Sequence, residues 1–171
     1  MDCDFIIAFK LDHWPVVAEE WVGRPRHWPS QKIVLKIFQV RNIRNCSLKY
    51  LVYLLTNQVC CEVVPKAGLD GDALNWRLSF SQAEKILSEE FSERPRMTYL
   101  AAKIILKKYL QFSCPVLKSY HLKTIFLHYL EKKSVDYWKD NSIEKTITDF
   151  LGELLLTMEK KACSHYFIQE N

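Results

Sequence analysis

Glycine is scarce, with four residues in 171, and methionine is scarcer at three. The chain has no P-loop, no G-x-S-x-G and no H-E-x-x-H. Phosphate-cradling loops, nucleophile elbows and zincin helices need those spacings, so those chemistries are excluded. No apolar run approaches the roughly 20 residues of a bilayer-spanning helix. The stretch Leu48 to Leu55 is too short and is broken by Lys49. No membrane partner is expected. The opening Met1-Asp2-Cys3-Asp4 has no basic region ahead of an apolar core, so it does not read as a secretory signal. Six scattered cysteines (Cys3, Cys46, Cys60, Cys61, Cys114, Cys163) contain no C-x-x-C pair. They read as reduced thiols of a cytoplasmic chain, with a nuclear location as the alternative. No His/Cys cluster has zinc-ligand spacing, so no zinc site is expected.

What is present suits a globular protein. Hydrophobic residues make up 49% and charged residues 26%, enough for a core and a solvated surface. The length allows one domain, or one lobe and part of another. The net charge of +4 permits nucleic-acid contact without requiring it.

Along the chain, Asp4 to Leu11 reads as a buried strand that needs neighbours from elsewhere. Asp12 to Ser30 holds His13-Trp14-Pro15 and His27-Trp28-Pro29 and predicts an irregular connection with short helical turns. Ser30 to Ile43 is amphipathic, as helix or strand. Val59 to Pro65 reads as a strand and Lys66 to Asp72 as a loop. From Ser81 the period becomes 3.6, predicting helices over Gln82 to Phe91, Pro95 to about Phe112, Ser119 to Lys133 and Ile143 to about Ala162. Asn141 or Ser142 caps the last. Tyr99, Ile104, Ile105 and Leu110 are expected on and around the second helix's apolar face. Leu122, Ile125, Phe126, Tyr129 and Leu130 should face inward from the third, and Ile147, Phe150, Leu151, Leu154 and Leu155 from the fourth.

The run Trp76-Arg77-Leu78-Ser79-Phe80-Ser81 is the most informative stretch. Alternation sets Trp76, Leu78 and Phe80 on one face and Arg77, Ser79 and Ser81 on the other. The second face suits a phosphate or a base edge. The same residues also read as a strand end followed by a capping box, Ser81 with Glu84. Ser119-Tyr120 opens a helix, where backbone N–H groups favour anions and a tyrosine offers a stacking face; the alternative is a serine cap and a half-buried tyrosine. Asp4 offers one carboxylate for a hard cation, or is a plain strand-end acid. Lys103, Lys107 and Lys108 read as a solvated stripe.

In order, the chain shows D-F-I-I-A-F leading to Trp14-Pro15, then W-R-L-S-F-S-x-A-E-K, S-Y-H-L-K-T and the ending His165-Tyr166-Phe167-Ile168. With these the chain resembles the cyclic GMP-AMP synthase-like and Mab-twenty-one family of nucleotidyltransferases. The resemblance implies an α+β fold, with the C-terminal part of a nucleotidyltransferase sheet at 1–80 packed on an all-helical Mab-type (HhH/H2TH-like) lobe at 81–171. It implies that Asp4 is the third metal-binding acid. Arg77, Ser79 and Ser81 would contact a guanine-type base, Lys103 and Ser119 phosphates, and Tyr120 would stack on a base. Magnesium or manganese would serve the full-length parent, with ATP and GTP as substrates and double-stranded RNA or DNA as activator in innate immunity. Lys32, Lys36, Arg41 and Arg44 form the candidate nucleic-acid surface, or an ordinary solvated helix face. The family's G-S loop and first two acids are not in this chain, which therefore reads as a truncated gene model or an isolated C-terminal portion, inactive by itself. A non-catalytic Mab-type module that docks a protein partner through the helical lobe is the competing expectation.

Overall fold

The computed structural model describes residues 8–11, 13–38, 61–66, 75–110, 112, 114, 116–160 and 163–168. Asp2, Asp4, Asp12, Arg41, Arg44 and the stretch Leu48 to Leu55 lie outside them. The chain divides into two compact units, Met1–Val22 with Gln31–Glu89, and Gly23–Ser30 with Glu90–Asn171.

The first unit holds a three-stranded antiparallel sheet in the order β1 (Phe9–Lys10), β2 (Glu62–Lys66), β3 (Asn75–Ser79). Phe9 pairs with Val63, and Val63 with Leu78. The described part of the first strand is exposed, not buried. It is a two-residue edge, and Phe9 is partly covered by Trp76, whose ring stands 5.2 Å away edge-on. The connection after it does contain helical turns, a 3₁₀ turn Val16–Ala18 running into α1 (Glu19–Gly23). Trp14 anchors this segment. Its indole N–H donates to the Ala18 carbonyl at 2.8 Å, and its ring meets Trp21 at 5.6 Å and Phe80 at 5.4 Å. The amphipathic segment resolves as a helix, α2 (Gln31–Phe38), which buries Ile33, Val34 and Ile37. It packs against α3 (Ser81–Glu89), which buries Ala83, Ile86 and Leu87. Burying each such aliphatic side chain is worth roughly 1.5–3 kcal/mol, so these few contacts hold the helices to the unit.

The second unit is helical: α4 (Glu93–Ile105), α5 (Ser119–Lys132), α6 (Val135–Asp140) and α7 (Ile143–Glu159). Phe126 of α5 sits at its centre with no exposure, ringed by Phe91 at 5.5 Å, Tyr99 at 5.0 Å and Phe150 at 4.9 Å. All five residues expected to face inward from α5 are buried. Ser142 caps α7 as anticipated, accepting from the Lys145 N–H at 3.3 Å. Leu155, expected inside, is 59% exposed. The buried stripe of α7 is Thr146, Phe150 and Leu154, spaced by four, and Leu155 lies one step round the helix from it. A similar shift occurs on α4, where Pro95, Thr98 and Ala102 are buried and Ile104 is exposed. Thr98 tolerates burial because its hydroxyl pairs with that of Thr146 at 2.9 Å and donates to the Arg94 carbonyl at 3.0 Å. The α-helical part of this segment ends at Ile105, earlier than Phe112, and continues as a π-helical turn Leu106–Leu110.

Candidate functional site

In the first unit the pairing register decides what accompanies Arg77 and Ser79. Arg77 lies opposite Val64, and Ser79 opposite Glu62, which in turn lies opposite Lys10. Directly paired residues share a sheet face. One face therefore carries Lys10, Glu62, Val64, Arg77 and Ser79, with Arg77 and Lys10 exposed, Ser79 and Glu62 half-buried and Val64 buried. This face can hold a ligand carrying both anionic and donor edges, since it offers a guanidinium, an ammonium, a hydroxyl and a carboxylate. Lys10 and Glu62 were invisible as partners in the sequence, because only the register brings them across.

Burial is graded along the opposite face. Phe80 is 2% exposed, Leu78 half-buried and Trp76 41% exposed. The Phe80 end is covered by Trp14, while the Trp76 end has Phe9 beside it. The Glu84 N–H is bonded to the Phe80 carbonyl at 2.8 Å, so the helix begins with Ser81 as its first residue, exposed, and Phe80 occupies the cap position. The strand thus ends at Ser79, and Ser81 follows Arg77 and Ser79 without sharing their pleat. Lys32 and Lys36 stand exposed on α2, one turn apart, opposite its buried stripe. Asp4, Arg41 and Arg44 lie outside the described residues.

In the second unit Ser119 and Tyr120 form the first turn of α5, both exposed. The cap residue is Lys118, not Ser119. The Lys118 N–H donates to Nδ1 of His121 at 3.1 Å and the Leu122 N–H to the Lys118 carbonyl at 3.3 Å, which leaves Ser119 as the first helical residue. Tyr120 is 46% exposed and meets the His121 ring edge-on at 5.7 Å. Lys103, on α4, is exposed and places its ammonium 5.7 Å from the Tyr99 ring centre.

Two polar clusters in this unit have no signal in the sequence. In one, Glu131 is 8% exposed and takes Arg24 Nη1 at 3.1 Å on one carboxylate oxygen. On the other oxygen it takes the Tyr166 hydroxyl at 2.9 Å, with Arg26 Nη1 at 3.5 Å. Burial pushes the Glu131 carboxyl above its ordinary range, against the pull of Arg24, Tyr166 and Arg26. The ending motif is explained by this cluster: Tyr166 closes it, and Nδ1 of His165 accepts the N–H groups of Phe167 and Ile168 at 3.2 and 3.1 Å. In the other cluster, Tyr129 and Tyr137 hydroxyls lie 2.7 Å apart and Tyr137 donates to Asp149 at 2.9 Å. Lys133 Nζ sits 5.0 and 4.4 Å from the two ring centres. Burial raises the Tyr129 phenol far above its normal value. His128 is held below its ordinary value, chiefly by burial. The partners in these clusters are up to 142 residues apart, so no local spacing signals them. Among the described residues no group of three or more His, Cys, Asp or Glu side chains could hold a metal ion.

Both parts of the chain match family models. Residues 1–89 match the Mab-21 protein nucleotidyltransferase domain, and residues 98–171 the Mab-21 protein HhH/H2TH-like domain. The chain belongs to the Mab-21 family. Among its curated relatives, Cyclic GMP-AMP synthase-like receptor 3 of Stylophora pistillata is 32% identical over 110 residues, 60% of this chain and 32% of that protein. Protein mab-21-like of Aedes aegypti is 24% identical over 163 residues, 94% of this chain and 41% of that one. Cyclic GMP-AMP synthase-like receptor of Tribolium castaneum is 27% identical over 108 residues, 63% of this chain and 25% of that one. The chain thus spans between a quarter and about two fifths of the length of these Mab-21-family relatives. The expected α+β class and family both hold. Among the described residues no helix is long and apolar enough to cross a membrane.

Proposed function

We propose that this chain is the base-contacting part of a cyclic GMP-AMP synthase-like nucleotidyltransferase. The whole protein would join ATP and GTP into a cyclic dinucleotide on sensing double-stranded nucleic acid in innate immunity. Alone, the chain binds nucleotide weakly and turns nothing over. One observation carries the reading: β3 presents Arg77 and Ser79 on the same face of the sheet and delivers Ser81 at the start of a helix. A fork-shaped cation beside hydroxyls matches the Hoogsteen edge of a guanine, where two acceptors lie side by side. Tyr120 supplies a flat exposed face for stacking, Ser119 a hydroxyl at a helix N-terminus, and Lys103 a cation for phosphate. Asp4 is the proposed ligand for magnesium or manganese in the parent. The described residues offer no metal donor set, and these base and phosphate contacts need none. The nucleotidyltransferase core of this reading takes in α3 and ends with residue 89, not 80, and the helical part lies within 98–171, the bounds of the two family matches.

Nucleic acid would meet Lys32 and Lys36, with Arg41 and Arg44 further along the same basic segment. Binding to phosphates releases counterions, so affinity for a duplex must fall steeply with salt. Filter binding of duplex RNA and duplex DNA between low and moderate salt tests this. Steep loss, with a shallower slope in Lys32→Ala/Lys36→Ala, supports sensing; salt-insensitive binding, or none, removes it. The match to Protein mab-21-like covers 94% of the chain, the helical unit included, and the second reading is a non-catalytic module that docks a protein through that unit. Absence of nucleotide binding in the same preparation would select it.

A further inference from the structure

The solvent side of α4 carries large apolar side chains. Met97, Leu100 and Ile104 are exposed there, opposite the buried Pro95, Thr98 and Ala102. Their spacing of three and four is that of a helix–helix seam. At 3.6 residues per turn the three fall within roughly 60° of the helix. The π-helical turn Leu106–Leu110 follows, where the backbone closes from i to i+5, so the exposed Tyr109, five residues past Ile104, carries the stripe onward. Cations border it: Lys103, Lys107 and Lys108 are all exposed. Lys103 directly precedes Ile104, a flanking position that sets the partner's charge in a helix pair. Among the described residues no carboxylate is paired with any of the three. The Lys103 and Lys108 ammoniums lie 5.7 and 5.1 Å from the ring centres of Tyr99 and Tyr109, which leaves their charge uncancelled. The sequence accounts for this. From Arg94 to Leu130 there are seven Lys and Arg and no Asp or Glu, more than the net +4 of the entire chain. Glu93, the first residue of α4, is its only acid.

We infer that this face docks a helix of another protein, apolar along one seam and acidic beside it. Charge complementarity selects the acid, because three lysines without carboxylate partners flank the stripe. The stripe's width selects a helix over a bilayer: a one-residue-wide seam fits between the ridges of a facing helix, whereas an interfacial membrane helix needs a broad apolar face. A nucleic-acid duplex would pair the lysines but leave Met97, Leu100 and Ile104 without apolar cover. A second copy of the chain would set lysine against lysine. The inference rests on the second reading above, a protein docked through the helical unit, and supplies its face and its partner's chemistry.

The test titrates the chain into a fluorescently labelled four-heptad peptide with leucine at a and d and glutamate at e and g, read by anisotropy. Its opposed glutamates keep the peptide from pairing with itself. The same peptide with lysine for glutamate, phosphatidylserine–phosphatidylcholine vesicles and duplex RNA are parallel arms. Saturable one-to-one binding of the glutamate peptide is expected, with the lysine peptide at least tenfold weaker. Ile104→Asp should weaken it tenfold or more, and Ile104 is 63% exposed, so the variant keeps the fold. Lys107→Glu/Lys108→Glu should reverse the preference, binding the lysine peptide at least tenfold more tightly than the glutamate peptide, which mere loss of structure would not do. Lys139→Glu on α6 should change nothing. No saturable binding, affinity unmoved by Ile104→Asp, or an unreversed preference would overturn the assignment. So would vesicles or duplex RNA held more tightly than the peptide, or dimers of the chain that Ile104→Asp breaks. Nucleotide binding in the same preparation decides the second reading by itself, so a failed reading and a wrong face give different results.

Discussion

Replacing Glu131 with alanine is predicted to destabilise the helical unit by about 3–5 kcal/mol. The magnitude follows from burial rather than distance. Glu131 is 8% exposed, and its partners Arg24 and Arg26 are 19% and 5% exposed. Removing the acid strands two guanidiniums in a poorly solvated place and takes the acceptor from the Tyr166 hydroxyl. The Lys132–Glu153 pair is the internal comparison. It is shorter, 2.8 Å against 3.1 Å, but its lysine is 64% exposed. Solvent screening and side-chain entropy limit such a pair to roughly 0.2–1 kcal/mol. Glu131→Gln should fall between these values, since its amide oxygen still accepts from Tyr166 while the charge is gone. Denaturant unfolding followed by tryptophan fluorescence reads the free energies. Hydrogen exchange reads the site, because the His27 N–H is bonded to the Glu131 carbonyl at 3.0 Å and should lose protection as the Gly23–Ser30 segment loosens. Equal costs for Glu131→Ala and Lys132→Ala, both below about 1 kcal/mol, would refute the argument that burial sets the worth of this cluster.

Acid should weaken the same unit through His128. Its folded value lies below the ordinary 6.5, so the folded state binds fewer protons than the unfolded one. Its contribution to stability is then complete above about 6.5 and is lost as pH falls from there through the folded value. Unfolding midpoints at pH 7.5 and 5.5 should separate in the wild type and converge in His128→Gln; an unchanged separation in the variant would dismiss this group. Thr98→Val should cost about 0.5–1.5 kcal/mol by removing the 2.9 Å hydrogen bond to the buried Thr146 hydroxyl, which keeps the Ile143 carbonyl as a partner at 2.9 Å. The double variant Thr98→Val/Thr146→Val should cost less than the sum of the singles, and strict additivity in denaturant melts would show the two hydroxyls are uncoupled. Tyr120→Ala should leave stability unchanged, its side chain being 46% exposed, yet weaken nucleotide binding in the full-length parent by about 1–3 kcal/mol. Unaltered nucleotide affinity would remove the stacking role.

Periodicity made the helices of the second unit legible, down to the five inward residues of α5 and the Ser142 cap. It failed by one helical step at Ile104 and Leu155, because apolar character alone was counted. The buried stripes there contain Thr98 and Thr146, polar residues that satisfy each other across two helices, and no single-helix pattern shows that. α6 went unseen because six residues are too few to display a period. In the sheet, alternation separated Arg77 and Ser79 from Phe80 correctly, but the companions Lys10 and Glu62 depend on register with strands more than a dozen residues away. The first strand read as buried from its apolar run, whereas its described end is a sheet edge. The Arg24–Glu131–Tyr166 cluster was illegible for the same reason as the register: its members are distant in sequence and meet only once the chain has folded.

The central claim is that Arg77 and Ser79 on β3, and Tyr120 on α5, contact nucleotide. Titrating the isotopically labelled chain with GTP, and following the Arg77 side-chain Nε–H, the Ser79 amide and the Tyr120 ring by NMR, tests it most directly. The account predicts weak, saturable shifts at all three, lost at Ser79 in Arg77→Ala. Unmoved signals at millimolar GTP, or shifts confined to other residues, would contradict it.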